Sequence, residues 1–485
     1  MIAHTDSRRH WHCLYLLCAG VLMIVLDATI VNVALPSIRE DLHFGKSLVW
    51  VVNAYLLTFG GFLLLGGRLG DLFGQRRLFL SGITLFSLAS LACGIANTQE
   101  LLIGARAVQG LGGAVVNAVA LSLIMSIFTE PGERAKAMGV YGFVCASGGG
   151  IGVLAGGLLT SSLNWHWVFL VNLPIGAVVF VLSLLLLPAG SERSTAVRLD
   201  VAGAATVTVS LMLAVYAIVN GNEAGWTSVQ TTGLLAGAVL LLALFLGIEA
   251  RVRDPLMPLA IFRLRNVATA NVVGVLWAAA MFAWFFISAL YMQLVLGYSA
   301  MQVGLAYLPA NLIMAAFSLG LSARLVMRFG IRLPLLTGLL LAALGLAWFA
   351  QAPVDGVFGL DVLPSMILLG LGAGMGFNPV LLAAMSDVAP TESGLASGLV
   401  NTSFMMGGAL GLAVLASLAA ARTDDLLASG AASAAALTGG YHIAFACGAV
   451  FAAVSSLLGA AVLRTRQSES ALSGETAPQR ELIRE

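Results

Sequence analysis

The chain has 485 residues, 59% of them hydrophobic and only 10% charged, and its net charge at pH 7 is +1. Because a soluble globular chain carries roughly 25% charged residues, this composition excludes a soluble protein and predicts an integral membrane protein. A nearly neutral chain has no overall field that would attract nucleic acid, so we predict a lipid bilayer and no nucleic acid among its partners.

Apolar stretches of membrane-crossing length follow one another along the chain. A transmembrane helix needs about 20 mostly apolar residues, and in lipid every backbone polar group must be satisfied within the structure. The sequence therefore predicts an all-α membrane protein with 14 transmembrane helices. Windows bounded by charged residues, Pro or Gly place these spans at 12–36, 49–69, 78–96, 101–127, 136–160, 166–187, 199–220, 231–249, 268–293, 303–323, 333–350, 362–386, 394–420 and 442–463.

The positions of the basic residues orient the predicted helices. With the N-terminus in the cytoplasm, most of the 24 Lys and Arg residues fall on the cytoplasmic side, as the positive-inside rule requires. We therefore expect a multi-pass protein of the cell inner (cytoplasmic) membrane with both termini in the cytoplasm.

Two similar segments indicate an internal repeat. "PGERAKAMG" at 131–139 and "PTESGLASG" at 390–398 share Pro, Glu, Ala and Gly at one offset, and each leads into a Gly-rich span. The repeat maps spans 1–6 onto spans 9–14 and leaves spans 7 and 8 as an insertion. We predict an N-terminal six-helix half at 1–190, two inserted central helices at 191–255, a C-terminal six-helix half at 256–465, and a disordered cytoplasmic tail at 466–485.

Four motifs fall at distinct predicted spans. Span 1 contains "LDATIVNVALP" (26–36), the loop after span 2 contains "GRLGDLFGQRR" (67–77), span 4 contains "RAVQGLGGA" (106–114), and span 6 opens with "WHWVFLVNLPIG" (165–176). In these motifs the chain resembles the major facilitator superfamily, and within it the fourteen-span drug:proton antiporter family of multidrug and antibiotic efflux transporters. The resemblance covers essentially the whole membrane region.

The chain departs from the pattern of this family in several places. The span 5 antiporter motif reads "GGGIGVLAGG" (148–157), with Val153 in place of proline, and the loop motif has Leu72 and Gln75 where basic residues are common. The second-half loop, "ARLVMRFGIR", has Met327 in place of the acidic residue. The two halves are therefore not interchangeable.

The resemblance implies a function as well as a fold. It implies a major facilitator fold with the substrate site between the halves near the midplane, and efflux of amphiphilic, neutral or singly charged small molecules by alternating access. The proton gradient would drive this exchange, with no cofactor and no metal. A uniporter or a proton symporter of a small metabolite with the same fold is the alternative.

Other classes of function lack the motifs that they need. The chain has no G-x-x-x-x-G-K-[ST] nucleotide-binding loop, and its six histidines map to loops or span ends. We therefore predict that the protein is not an enzyme, and we expect it to act as a monomer.

An acid and a base inside the predicted spans are the candidate proton-coupling pair. Asp27 lies about 13 Å from the outer end of span 1, and Arg106 lies ~8–9 Å into span 4 from the same side, at 1.5 Å per residue. Ionisable groups at that depth are costly and normally find a partner. The pair is either a static ion pair or a proton site, in which solvation and the distance to Arg106 control protonation of Asp27. The family resemblance implies the second role.

The loop after span 2 and the glycines of span 5 are the candidate gating residues. The resemblance implies that Asp71 closes the cytoplasmic side against a helix of the other half, whereas the basic residues nearby are also explained as a positive-inside anchor. Small residues in span 5 allow helices to approach closely, either as plain packing or as a seam between the halves that limits leak. The predicted gating residues are Gly67, Asp71, Gly74, Arg76, Arg134, Gly148, Gly152, Gly156 and Gly157.

Span 9 carries the candidate substrate surface. Trp277, Met281 and Trp284 recur at helical spacing on one face, and aromatic and thioether groups suit flat apolar ligands. Such a face lines either the substrate cavity or the lipid, and polar residues of other spans either bind substrate or join helices. The predicted cavity residues are Asn32, Gln109, Asn117, Trp277, Met281, Trp284, Asn378 and Asn401.

Overall fold

The computed structural model describes residues 2–128, 130–187, 200–252, 255, 259–385, 388 and 393–463. Every regular element in these ranges is helical. The helices are α1 (Ile2–Asp41), α2 (Trp50–Phe73), α3 (Gln75–Gly94), α4 (Gln99–Ile127), α5 (Pro131–Ser162), α6 (Trp167–Leu186), α7 (Val201–Ala224), α8 (Val229–Glu249), α9 (Arg265–Val295), α10 (300–329), α11 (Arg332–Phe349), α12 (358–385), α13 (Ser393–Ala428) and α14 (Ser433–Val462). The predicted disordered tail lies outside the described residues.

Several of these helices contain local interruptions. α9 ends in a π-helical turn, Tyr291–Val295, and α12 begins with one, Phe358–Val362. α10 is made of Ala300–Ala306, Leu308–Ala316, a π-helical turn and Ser322–Phe329. π-helical turns inside α-helices are frequently found at functional sites, so these positions are of interest for the site.

The helices have the length and composition of membrane spans. Within the described residues, 11 helices are long and apolar enough to cross a membrane. Shorter apolar helices at Ser47–Leu63, Ile151–Ser162 and Ala300–Ala316 lie in the predicted spans 2, 5 and 10. The prediction of an all-α membrane protein is therefore confirmed.

The first six helices and the last six pack by the same pattern. α1 contacts α4, α5 and α6, α4 contacts α2 and α3, and α3 contacts α6. The same pairs recur among α9–α14, where α9 contacts α12, α13 and α14. The main contacts between the two sets are those of α2 with α13 and of α5 with α10.

Glycines at equivalent helix contacts show which residues of the two sets correspond to each other. Each sits where a Cβ would touch the neighbouring helix. The contacts recur in pairs: Gly148 on Val25 with Gly407 on Val275, Gly152 on Thr29 with Gly411 on Ala279, and Gly112 on Phe86 with Gly372 on Ala342. In this register, Asp27 of α1 corresponds to Trp277 of α9.

The inserted helices lie beside the contact between the two sets. α7 packs on α8 and also touches α2 and α13. Asn222 Nδ2 of α7 donates to the Ser417 carbonyl of α13 at 2.8 Å. The side chains of Val239 and Leu240 on α8 are exposed, as expected of a helix that faces lipid.

Candidate functional site

The carboxylate of Asp27 lies at the centre of a buried polar cluster. Its Oδ2 accepts a hydrogen bond from Arg106 Nη1 at 2.5 Å, and its Oδ1 accepts from Gln109 Nε2 at 2.7 Å and from Asn172 Nδ2 at 2.8 Å. The side chains of Asp27 and Arg106 are both 0% exposed. Both carboxylate oxygens are therefore engaged, and the guanidinium balances the buried negative charge.

The guanidinium of Arg106 is held from several sides. Its Nε donates to the Val51 carbonyl of α2 at 2.9 Å, and Nη1 also donates to Gln109 Oε1 at 2.8 Å. The ring centroid of Tyr55 lies 4.3 Å from the guanidinium carbon, which is a cation–π distance. Among the described residues, Nη2 has no hydrogen-bond partner, so one donor of the site is left over.

Ser90 of α3 and Asn172 of α6 complete the cluster. Ser90 Oγ accepts from Gln109 Nε2 at 2.7 Å and from Asn172 Nδ2 at 2.9 Å, and it donates to the Phe169 carbonyl at 3.2 Å. Neither residue is among those predicted from the sequence. Asn172 stands within the span 6 motif, which was the available signal, whereas nothing in span 3 singles out Ser90.

The cluster lies inside the first six helices and not between the two sets. Its side chains come from α1, α3, α4 and α6, with Tyr55 of α2 beside them. Gln109, which was predicted to line the substrate cavity, is fully buried here, because it follows Arg106 by three residues on the same face of α4. Water can reach Asp27 only if these helices or their side chains move.

The corresponding positions in the last six helices are apolar. In the register set by the glycine contacts, the places of Asp27, Arg106, Gln109 and Ser90 are taken by Trp277, Met366, Leu369 and Leu346. All four replacements belong to the buried hydrophobic core. The same helix packing therefore accommodates either a polar or an apolar filling at this position.

A small apolar cavity lies beside Trp277. Its volume is about 10 Å³, room for about one water molecule. Trp277 Nε1 has no hydrogen-bond partner among the described residues. The cavity joins α9, α12 and α13 and is lined by Trp277, Phe377, Val380, Leu381, Val400, Asn401 and Phe404.

The other predicted cavity residues of α9 lie inside the protein. Trp284 is fully buried, with its ring centroid 4.3 Å from that of Phe285 and 6.1 Å from that of Tyr307. Met281 is half-buried against the same core. The aromatic face of α9 is therefore turned into the protein and not toward lipid.

The remaining predicted polar cavity residues differ in their bonding. Asn32 donates to carbonyls of its own helix at 3.3 and 3.4 Å, and Asn117 Oδ1 accepts from the Tyr141 hydroxyl of α5 at 3.1 Å. Asn378 is half-buried and adjoins Phe377 of the cavity. In the described part of the chain, no group of three His, Cys, Asp or Glu residues could hold a metal ion.

The predicted gating residues of the first loop are only partly described. Gly74 ends α2 with φ +90°, and Gly330 ends α10 with φ +74°, a backbone conformation that favours glycine. Arg76 Nη2 donates to the Leu184 carbonyl near the end of α6 at 2.5 Å, where a cation is favoured. Gly67 and Asp71 belong to α2 and Arg134 to α5, but the side-chain environments at these three positions lie outside what the structure describes.

The four predicted glycines of α5 divide between two neighbours. Gly148, Gly152 and Gly156 pack on α1 within the first set, where a Cβ at Gly156 would lie 2.6 Å from the Ile30 carbonyl oxygen. Only Gly157 packs on the second set, where a Cβ would lie 2.7 Å from the Ala300 carbonyl oxygen. Of these four, Gly157 alone is at the seam between the sets.

Comparison with known proteins gives relatives that span most of the chain. Residues 17–412 match the family model described as Major Facilitator Superfamily. The chain is 42% identical to the puromycin resistance protein pur8 of Streptomyces alboniger, over 91% of this chain and 89% of that protein. It is 39% identical to the cephamycin export protein CmcT of Amycolatopsis lactamdurans, over 85% of each.

Two further similarities concern a third exporter and a solved structure. The chain is 34% identical to the tetracenomycin C resistance and export protein of Streptomyces glaucescens, over 88% of this chain and 79% of that protein. The crystal structure of the nucleoside transporter NupG matches with a TM-score of 0.64 at 14% identity, over 93% of this chain and 100% of that chain. At this identity the structural likeness shows the fold alone.

Proposed function

The chain belongs to the major facilitator superfamily, and we propose that it exports amphiphilic small molecules, such as drugs or antibiotics, in exchange for protons by alternating access. The names of its relatives, which are antibiotic resistance and export proteins, support efflux. The buried Asp27 cluster is the observation that supports proton coupling. The proton gradient would supply the energy, with no cofactor.

The cost of burying Asp27 supports a role beyond packing. An acid at the centre of a membrane helix costs at least ~2.5–3.5 kcal/mol on insertion scales, and this site offsets that cost with a guanidinium and two amides. The equivalent position of the second set is filled by Trp277 at no such cost. A charged residue that packing does not require is best explained by chemistry.

The hydrogen bonds of Asp27 link its protonation to structure. A protonated carboxyl donates through one oxygen, so a proton on either oxygen competes with Arg106 or with the two amides. α1 also touches α9 and α10 of the second set. In this proposal, a rearrangement around Asp27 shifts α1 and is thereby passed to the contact between the two sets.

The proposed substrate site lies between the halves and extends into the second one, to a cavity that adjoins α9, α12 and α13. Trp277 and Asn401 already line a cavity, whose volume of about 10 Å³ is too small for a drug-sized molecule. The site must therefore enlarge in another conformation. Its aromatic, aliphatic and amide lining carries no charged residue, which favours neutral or singly charged amphiphiles.

The proposal includes an arrangement in the membrane. We propose fourteen transmembrane helices, with α1–α6 and α9–α14 as halves that rock about a common centre and α7 and α8 between them. Both termini would be cytoplasmic and the chain would act as a monomer. Asp71 and Arg134, with Gly67 and Gly74, would form the cytoplasmic gate.

A uniporter or proton symporter of a small metabolite is the alternative. Val153 in place of the proline of the antiporter motif favours it, as does the presence of a single acid, Asp27, at depth in the predicted spans. The direction of proton movement distinguishes these functions, because only an antiporter moves protons out of a compartment as substrate enters it.

The substrate class is tested by growth of an efflux-deficient bacterial host with and without this protein. The panel should include puromycin, cephamycin and tetracenomycin C, which the names of the relatives suggest, together with compounds of different charge. We expect raised inhibitory concentrations for one or more neutral or singly charged amphiphiles. If every compound inhibited the host equally with and without the protein, although the protein was present in the membrane, drug export would be contradicted.

The coupling is tested with purified protein in liposomes that contain a pH-sensitive dye. We expect an imposed proton gradient to drive uptake of the exported compound against its concentration gradient. Counterflow without any effect of the proton gradient would instead identify a uniporter, and proton movement in the same direction as substrate would identify a symporter.

A further inference from the structure

The two sets of helices meet at the face that the sequence predicts to be extracellular. The outer ends of α1 and α5 lie there against the outer end of α9 and the start of α10. A surface depression of about 840 Å³ lies over this meeting point, and its lining includes Pro36, Ser161, Gln293 and Ala300. Residues of both sets line this depression.

One side-chain hydrogen bond crosses the contact from the second set. Gln293 Nε2 donates to the Val33 carbonyl of α1 at 3.0 Å. Gln293 lies in the π-helical turn that ends α9, and this turn is held in its own half by Tyr291, whose hydroxyl donates to the Pro353 carbonyl at 2.6 Å. The amide therefore reaches across from a fixed position.

A second hydrogen bond across the contact uses a side chain of the first set as its acceptor. The first backbone N–H groups of a helix lack partners within it, and Met301 N belongs to the first turn of α10. It donates to Ser161 Oγ of α5 at 3.0 Å, while Ser161 Oγ donates to the Gly157 carbonyl at 2.7 Å. The close approach of Gly157 to the Ala300 carbonyl makes this cap possible. One half thus completes a helix cap of the other.

A buried amide without partners among the described residues lies on the face of α2 that packs on α13. Asn53 is 0% exposed, and neither of its amide atoms has a partner among the described residues. It lies two helical turns before Gly60, on the same face, where a Cβ would lie 3.1 Å from Met405 Cβ of α13. A buried amide without partners is unfavourable, and separation of α2 from α13 would expose it to water.

We propose that Gln293 and Ser161 hold the outer gate of the transporter shut and that Asn53 opposes this closure. The inference rests on the proposed transport function, because a gate matters only if the halves separate at this face. Two hydrogen bonds favour closure and one unpaired amide disfavours it. Because these interactions act in opposite directions, they bring the free energies of the closed and open states closer together, which favours cycling between them.

The gate is tested by distance measurements between spin labels at exposed positions of the outer loops. Asn97 in the loop before α4 and Asp355 in the loop before α12 are both exposed and belong to different sets. They are changed to cysteine in a chain whose five native cysteines are replaced by alanine. Double electron–electron resonance in lipid nanodiscs, without substrate, then gives the ratio of open to closed populations.

Substitutions at two of the three gate residues should raise the open-to-closed ratio, and a substitution at the third should lower it. Gln293→Met and Ser161→Ala each remove one crossing hydrogen bond, so we expect each to raise the open-to-closed ratio by roughly two- to tenfold. Asn53→Leu replaces the unpaired amide by an apolar group of similar size, so we expect the ratio to fall.

Two matched controls distinguish an effect on the gate from a general effect of removing an amide. Gln351 also lies on the outer face but donates to the Ala347 carbonyl of the preceding helix, α11, and Asn271 is a buried amide near the opposite end of α9. Gln351→Met and Asn271→Leu should leave the ratio unchanged.

Two results would overturn the gate. The first is an unchanged ratio in the double variant Gln293→Met with Ser161→Ala, and the second is a rise in Asn53→Leu. This measurement needs no transport, so failure of the gate is distinguishable from failure of the proposed export, which wild-type protein in liposomes reports separately.

Discussion

The two six-helix sets pack alike but differ in what fills the same central position. In the first set, Asp27 is held by a guanidinium and two amides, and both amides also donate to the Ser90 hydroxyl. In the second, Trp277 and three apolar side chains occupy the equivalent places. Both fillings satisfy the same helix contacts, so packing alone does not account for the difference. The first set holds a buried charge at this position, and the second fills it with buried apolar side chains.

Of the substitutions that test this difference between the sets, Arg106→Ala should have the largest effect on transport and stability. It leaves Asp27 as an unpaired buried charge, which destabilises a protein by about 3–5 kcal/mol, and it removes the partner against which protonation is balanced. We expect loss of proton-driven transport and a lower free energy of unfolding, measured by denaturation in detergent and by uptake in liposomes.

Met366→Leu is the matched control for Arg106→Ala. It changes the equivalent position of the second set while conserving volume, which usually costs less than about 1.5 kcal/mol. Transport should be retained. If Arg106→Ala were as stable and as active as Met366→Leu, the polar cluster would have no special role.

Asn172→Ala should have an intermediate effect. It removes one hydrogen bond to an ionised group, worth about 1.5–3 kcal/mol, but leaves Arg106 and Gln109 on Asp27. We expect reduced transport and measurable destabilisation. Asn117→Ala is the comparison, because its partner is the neutral Tyr141 hydroxyl and its loss should cost only about 1 kcal/mol. Equal effects of the two variants would argue against a special role for the carboxylate contact.

Trp277→Phe should have the smallest effect on stability and the most selective effect on transport. The variant keeps an aromatic ring beside the cavity but loses the unpaired Nε1 donor. We expect relative resistance to change from compound to compound, while proton release per molecule transported stays constant. Trp284→Phe changes a buried tryptophan outside the cavity and should affect all compounds alike. A uniform effect of Trp277→Phe would place the substrate elsewhere.

The sequence predicted the features that depend on position along a helix. Composition and apolar windows gave the helical membrane class, the motifs gave the family, and depth along α1 and α4 placed Asp27 within reach of Arg106. These features are local, because helix rise and charge placement are read directly from the chain.

Features that depend on how helices are rotated against one another were not predicted. Ser90 and Asn172 reach Asp27 only because α3 and α6 turn particular faces toward α1, and no periodicity in those spans reveals that rotation. The same holds for the glycines of α5, of which three face α1 and only Gly157 faces α10. The place of Gln109 was predictable, since a residue three positions after Arg106 shares its face, and its assignment to the substrate cavity overlooked that spacing.

Asp27→Asn tests the central claim of proton coupling most directly. The variant keeps the size of the side chain and removes the group that titrates. In liposomes with a pH-sensitive dye, addition of the exported compound should drive proton release by the wild-type protein and none by the variant, with both inserted to the same extent. Substrate-driven proton release by Asp27→Asn at the wild-type rate would contradict the account.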